Sequence, residues 1–363
     1  MRSLVFFGLV LILASCAPRA QLILVPGLDR AEIQQVFIAT TRAPKGRDFG
    51  PSRATTPRYL RYDISVPPER QLGEISWPEG TPDPNTDFLA TAVEPYASGA
   101  AFRADLGRAL RQRASASREV IIYVHGFNNN FADGVLRITQ LAHDFEFSGV
   151  AVHYSWPSAA NPLGYAYDRD SVLFARDGLE ALIREVKAAG AGKISIVAHS
   201  VGSMLTMEAL RQIAIAEPGS VARDVDGVIL ISPDLDVELF HSQAVRIGKL
   251  PKPFGIFVSN RDRVLQLSAR LTGQRNRLGN LNSLDAIADL DVTLVDVTEF
   301  SSGSGHFTAG SSPDVISIFS RAGDLDAAFR GDRAGRSGLI PGTVLTVQNA
   351  TAIILSPVTE LVQ

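Results

Sequence analysis

The sequence predicts an α/β fold built on a mostly parallel, doubly wound sheet, and three observations carry that expectation. From Val120 onward, short β-branched runs nearly free of charge recur along the chain. Long amphipathic segments of helical period separate them. The 363 residues are 45% hydrophobic and 20% charged, enough apolar material to cover a sheet on both faces.

The N-terminus stands apart. After Arg2, Leu4 to Ala14 form an apolar or small stretch, far short of the ~20 residues a membrane-spanning helix needs. It reads as the apolar region of a signal peptide. It ends in Leu13-Ala14-Ser15-Cys16, which resembles a bacterial lipoprotein signal. The resemblance implies that residues 1–15 are removed and that Cys16 is acylated. Several acyl chains would hold the protein stably on a membrane, where one chain binds only marginally. Ala17 rather than Asp after the cysteine points by the same resemblance to the outer membrane, facing the periplasm. Residues 16–35 then read as a tether, 36–322 as the globular domain, and 323–363 as a linker with an apolar tail.

Gln35 to Thr41 opens an apolar β-like run, and the alternation from Tyr59 to Val66 gives a half-buried strand stopped by Pro67-Pro68. Pro78, Pro82, Pro84 and Pro95 punctuate a loop-rich stretch to about Ser98. The charge-poor runs then follow: Val120 to Val124, Val150 to Tyr154, Ile194 to Ala198, Val228 to Ser232, Gly255 to Ser259 and Val292 to Val297. Strands of this kind, buried on both faces and separated by helices, belong to a parallel sheet with its functional loops at the strands' C-terminal ends. Ala327 to Ser337 reads as a linker. Gly338 to Val358 carries no charge but is broken by Pro341, Gly342, Gln348, Asn349 and Pro357, so rather than span a bilayer it is expected to pack across the domain, the alternative being contact with the lipid surface.

Composition narrows the function. The formal charge is −3, which gives no uniform field to attract nucleic acid. Cys16 is the single cysteine, so no disulfide framework and no paired-cysteine metal or redox site is available. The histidines do not cluster at metal-ligand spacing, and no Gly-rich nucleotide loop occurs; neither metal nor cofactor is expected.

The most informative stretch is Lys193 to Gly202, KISIVAHSVG, running into an apolar helical segment. A strand ends on Ser200, small residues stand two positions to either side, and a helix follows at once. This is the pattern of a nucleophile elbow, with Ala198 in place of the first glycine. A serine at neutral pH needs a base, and the expected order along the chain is serine, acid, histidine. His125, His143, His153 and His199 precede Ser200. His241 falls in a surface helical segment, whereas His306 follows the last strong strand in a Gly/Ser-rich loop, so chain order selects His306. For the acid, Asp262 lies just past the Gly255–Ser259 run; Asp234 and Asp236, after the preceding strand, are alternatives that also suit helix caps. An oxyanion would be held by the amides of Val201 and Phe127, the latter turned inward by Gly126.

Taken together, Tyr123 to Asp133, Ser155 to Ser158, Ala198 to Gly202, Ser232 to Asp236 and the opening Val36 to Arg42 resemble a bacterial family of α/β hydrolases of esterase or lipase type, the DUF900 type. The resemblance spans roughly Val36 to Phe319. It implies the α/β-hydrolase fold, two-step acyl transfer through Ser200, His306 and Asp262, and a small-molecule or lipid ester as substrate. His125, Gly126, Trp156 and His199, which stand in its motifs, are expected to border that substrate. Phe127, Phe131, Trp156, Tyr165 and Tyr167 are read either as an acyl pocket or as core. The same scaffold also hosts acyltransferases and members that bind a ligand or partner without turnover.

Overall fold

The computed structural model describes residues 19–28, 32–46, 48–273, 277–322 and 342–357. Cys16, the apolar run before it and the Ala327–Ser337 linker lie outside the described residues.

β1 (Glu32–Lys45) and β2 (Asp48–Val66) form a long hairpin, and β3 (Leu89–Tyr96) adds to its outer side. Helix α1 (Gly99–Arg111) starts at Ser98, whose side chain accepts the Ala101 amide. Strand and helix then alternate: β4 (Glu119–Val124), α2 (Phe131–Asp144), β5 (Val150–Ser155), α3 (Tyr165–Ala188), β6 (Lys193–His199), α4 (Val201–Ala216), α5 (Ser220–Asp224), β7 (Gly227–Ile231) and α6 (Val237–Ile247). The series continues with β8 (Phe254–Val258), α7 (Arg263–Leu271), β9 (Thr293–Asp296), α8 (Thr308–Ser311), α9 (Pro313–Ala322) and the hairpin β10 (Gly342–Val347) and β11 (Ala350–Leu355).

These strands make one sheet in the order β10-β11-β9-β8-β7-β6-β4-β5-β1-β2-β3. Every neighbour from β11 across to β1 runs parallel, and only the outer pairs β10–β11, β1–β2 and β2–β3 are antiparallel. The expected mostly parallel sheet is therefore present. Its strands need cover on both faces. Phe102 and Leu106 of α1, Leu179 of α3, Leu205 of α4 and Phe240 of α6 supply it on one side. On the other, Val135 and Ile138 of α2 and Val315 and Phe319 of α9 do the same.

From β4 the chain moves to β5 on one side, while β6 lies on the other. The loops at the C-terminal ends of β4 and β6 diverge at this switch point, where open α/β sheets place their sites. Val124 stands opposite Ala198, and His199 opposite Ile231, so the loops starting at His125 and Ser200 leave the sheet side by side.

Two readings of the sequence need correction, and a third is made specific. The proline-rich stretch contains β3, because Pro95 sits on an outer strand where a missing N–H costs little. The expected tether is docked: Ala20 is buried, Leu24 bridges Ala90, and the Val25 amide donates to the Ala90 carbonyl. The apolar tail packs on the domain by joining the sheet, with β11 lying parallel to β9 and Ile353 and Leu355 fully buried.

Candidate active site

Ser200 sits between β6 and α4 with φ 53° and ψ −125°, a left-handed conformation that is costly for a residue with a Cβ. Its neighbours hold it there. The Ser200 amide donates to the Ile231 carbonyl at 3.0 Å, and its carbonyl accepts from Ser203 at 3.0 Å and Asp234 at 3.1 Å. Gly202 allows α4 to start against the end of β4, since a Cβ there would stand 2.4 Å from the His125 carbonyl oxygen.

His306 arrives on the loop after β9. Its Nε2 lies 2.9 Å from Ser200 Oγ and its Nδ1 2.8 Å from Asp262 Oδ2. Asp262 is fully buried at the N-terminus of α7, where Oδ1 accepts the Val264 and Leu265 amides, both at 3.0 Å. The two loops are stitched by their backbones, the Arg263 amide donating to the Ser304 carbonyl at 3.0 Å. Gly305, at φ 69°, lets them approach, because a Cβ there would meet the Arg261 carbonyl oxygen at 3.0 Å.

The alternative carboxylates are engaged elsewhere. Asp234 is buried 3.0 Å from Arg277 Nε, accepting from Ser268 Oγ at 2.7 Å and from the Tyr165 hydroxyl at 3.0 Å. Asp236 caps α6 by accepting the Leu239 amide at 2.8 Å. His241 pairs with Asp289 at the surface.

After β4 the chain turns through Gly126 to Asn130. A Cβ on Gly126 would stand 2.7 Å from His199 Nδ1 and 2.9 Å from Ser200 Cβ, so the loop passes directly over the serine. Among the described residues, neither the Phe127 amide nor the Val201 amide donates to a protein acceptor. Asn130 caps α2 in a reciprocal box with Asp133.

Residues expected to border a substrate fall into two groups. Gly126 and Phe127 lie beside the serine, and Tyr165 packs edge-on to Phe127 with centroids 5.5 Å apart. The others support the site from beneath, which corrects their reading. His125 and Trp156 are fully buried and stacked at 4.8 Å, with Trp156 Nε1 donating to the His125 carbonyl at 2.7 Å. His199 is buried under His306, with Nε2 3.2 Å from the His306 carbonyl oxygen. Phe131 packs in the core against Phe49, and Tyr167 lies outside the site under Arg53.

Burial keeps the supporting rings neutral. His125 and His199 are held well below the ordinary imidazole range, first by desolvation and then by the nearby Arg42 and His306 respectively. His153, behind them, is pushed down to about 3 by burial. A neutral, fixed surround leaves His306 as the imidazole bonded to the Ser200 hydroxyl. Sequence reasoning passed over Phe307, whose ring stands 4.6 Å from His199 and carries the Arg137 guanidinium 4.4 Å from its centre; adjacency to His306 was its only signal.

The family model that the chain matches agrees with this architecture. Residues 98–322 match the model of a family described as α/β hydrolase of unknown function, DUF900. No curated protein matches the chain. Among solved structures, lipase B of Aspergillus fumigatus is similar at 14% identity and a TM-score of 0.36, over 58% of this chain and 53% of the lipase. This chain therefore spans about half of that lipase's length. A YdeN-like hydrolase from Pectobacterium atrosepticum is similar at 18% identity and a TM-score of 0.30, over 58% of this chain and 89% of its own.

Proposed function

The chain belongs to the DUF900 family of α/β hydrolases, and from that premise we propose that it cleaves carboxylic esters by a serine nucleophile through an acyl-enzyme. One observation carries the reading: His306 stands in line between Ser200 and a buried carboxylate, 2.9 Å from one and 2.8 Å from the other.

In the first step His306 Nε2 takes the Ser200 proton as Oγ attacks the ester carbonyl, and the bond to the leaving alkoxide breaks as His306 returns that proton to it. Asp262 holds the Nδ1 proton and stabilises the imidazolium. The Phe127 and Val201 amides stabilise the tetrahedral oxyanion, a role supported by their freedom from protein acceptors. Water, deprotonated by His306, then attacks the acyl-serine, and the acid leaves as His306 returns that proton to Ser200 Oγ. Every proton is accounted for by residues of this chain.

Labelling with a fluorophosphonate tests the reading, with Ser200→Ala as control, followed by a panel of esters of increasing acyl length. Labelling and turnover that vanish together in a folded Ser200→Ala protein are expected. Near wild-type turnover by that variant would remove Ser200 from the mechanism.

The membrane anchor belongs to the same proposal. Arg19, three residues after Cys16, bonds to Asn128 of the loop over the serine. At ~3.5 Å per residue an acylated Cys16 would lie within about 11 Å of the Arg19 backbone. The site would then face the lipid surface at close range and take its ester from there. Wild-type protein should fractionate with membranes and Cys16→Ser should not; equal release of both into the soluble fraction would exclude the anchor.

A further inference from the structure

The loop over Ser200 is held by two arginines, Arg42 and Arg19, that both precede the matched family segment. Arg42, near the end of the β1 run, is fully buried. Its Nη2 donates to the Asn129 carbonyl at 2.7 Å, Nη1 to the Ser158 carbonyl at 3.0 Å, and Nε to Ser155 Oγ at 3.0 Å. Among the described residues it makes no ion pair with a carboxylate. The Asp168 carboxylate stands one residue removed, accepting from Ser158 Oγ at 2.6 Å, the Ala159 amide at 2.6 Å and the Asn128 amide at 3.4 Å. A buried cation spent on backbone carbonyls is an expensive arrangement, and a fixed loop is what it secures.

Arg19 grips the same loop from the surface. Its guanidinium donates to both the carbonyl and the side-chain oxygen of Asn128, at 3.1 and 2.8 Å, and Asn130 Nδ2 donates to the Ala20 carbonyl at 2.9 Å. Asn128 itself sits at φ 58°, a conformation that needs such support.

The peptide between Gly126 and Phe127 is oriented by the same set. Its carbonyl lies 2.9 Å from His125 Nδ1, and in a planar trans peptide the N–H then points the opposite way. The other ring nitrogen, Nε2, faces the Trp156 carbonyl at 3.0 Å and Arg42 Nη2 at 3.4 Å. A neutral ring has one proton. With that proton on Nδ1 it is donated to Gly126, and Nε2 can then accept from Arg42, the only donor among these groups.

We propose that Arg42 and Arg19 are positioning residues that aim the Phe127 amide at the oxyanion, Arg42 through Asn129 and His125 and Arg19 through Asn128. The assignment rests on the acyl-transfer reading given above. A group acting this way contributes in the transition state and not in ground-state binding, so it moves kcat and leaves KM.

The test uses the full chain with an activated aryl ester and an alkylboronate, whose tetrahedral adduct on serine places an oxygen where the oxyanion forms. Removing a whole oxyanion donor costs about 10²–10³ in kcat, and loosening one should cost less. Arg19→Ala, a change at an exposed side chain, should lower kcat by about 10-fold and weaken the boronate equally, with KM unchanged. Arg19→Lys should restore part of both. Arg42→Lys, which keeps the charge and loses the fork, should cost about 30-fold. A raised KM at constant kcat, or unchanged kcat and boronate affinity in folded Arg19→Ala, would overturn the proposal, and Arg19→Ala decides alone if Arg42→Lys does not fold. Wild-type protein that neither turns over the ester nor labels at Ser200 would instead remove the acyl-transfer reading, and the proposal with it.

Discussion

Asp262 divides its carboxylate between two partners: Oδ1 caps helix α7 through the Val264 and Leu265 amides, and Oδ2 faces His306 Nδ1 at 2.8 Å. The helix amides hold the carboxylate in one rotamer, so the oxygen offered to His306 is fixed before any substrate arrives. Asparagine can keep the cap but not the charge or the acceptor at both positions. Asp262→Asn should therefore keep the fold and lower kcat by about 10⁴, as expected when the histidine loses its orienting carboxylate. Loss of less than about 10-fold would show that His306 works without Asp262.

Asp234 and Asp236 give the contrast. Asn caps a helix about as well as Asp, so Asp236→Asn should be nearly silent in both melting temperature and kcat. Asp234→Asn removes the carboxylate 3.0 Å from the buried Arg277 guanidinium, a change that typically costs about 3–5 kcal/mol of stability. Its kcat per folded molecule should stay within a few-fold of wild type. A 10⁴ loss in either variant with Asp262→Asn active would move the acid to the earlier strand.

Stability should fall on mild acidification. His125, His153 and His199 are buried with pKa values below the ordinary imidazole range, His153 at about 3. The unfolded chain takes up protons at these residues below about pH 6.5 while the folded chain does not, so their contribution is full above that pH and declines below it. Each adds a slope of about 1.4 kcal/mol per pH unit. Asp133 and Asp168, raised by burial, pull the other way. The urea midpoint should hold from pH 8 to 7 and drop steeply from 6.5 to 5, and His153→Gln should flatten that limb. A midpoint constant down to pH 5 would mean that the folded protein accommodates the protons.

Much of this was legible in the chain because the informative residues are local. Ser200 announces itself through a charge-poor strand, flanking small residues and an immediate helix, and the parallel sheet through runs buried on both faces. His306 follows from chain order alone. What sequence could not weigh is burial. An aromatic beside a motif looks the same whether it stays half-buried in the loop over the serine, as Phe127 does, or is fully buried beneath it, as Trp156 is. Arg42 was visible only as a charge closing an apolar strand; its role depends on Asn129, 87 positions away. How the tail packs was hidden for a related reason: the pairing partner of β11 is β9, and an apolar run does not say which edge it will join.

That last pairing has a consequence for truncation. Removing residues 342–363 takes away β10 and β11 and leaves β9, from Thr293 to Asp296, as an open edge. It also strips Ile353 and Leu355 from the cluster containing Phe257, Val295 and Phe319. Two fully buried aliphatic side chains contribute about 3–6 kcal/mol between them, against a total stability of about 5–15 kcal/mol for an ordinary domain. The newly exposed strand, Thr293-Leu294-Val295-Asp296, is short and carries Leu294 and Val295 at its centre, and its unpaired backbone can pair with other chains. The truncated protein should melt at least 10 °C lower or accumulate as aggregate, with Ile353→Ala giving a smaller loss in the same direction. A truncation that stays monomeric with an unchanged melting temperature would show that β11 contributes nothing to the sheet it borders.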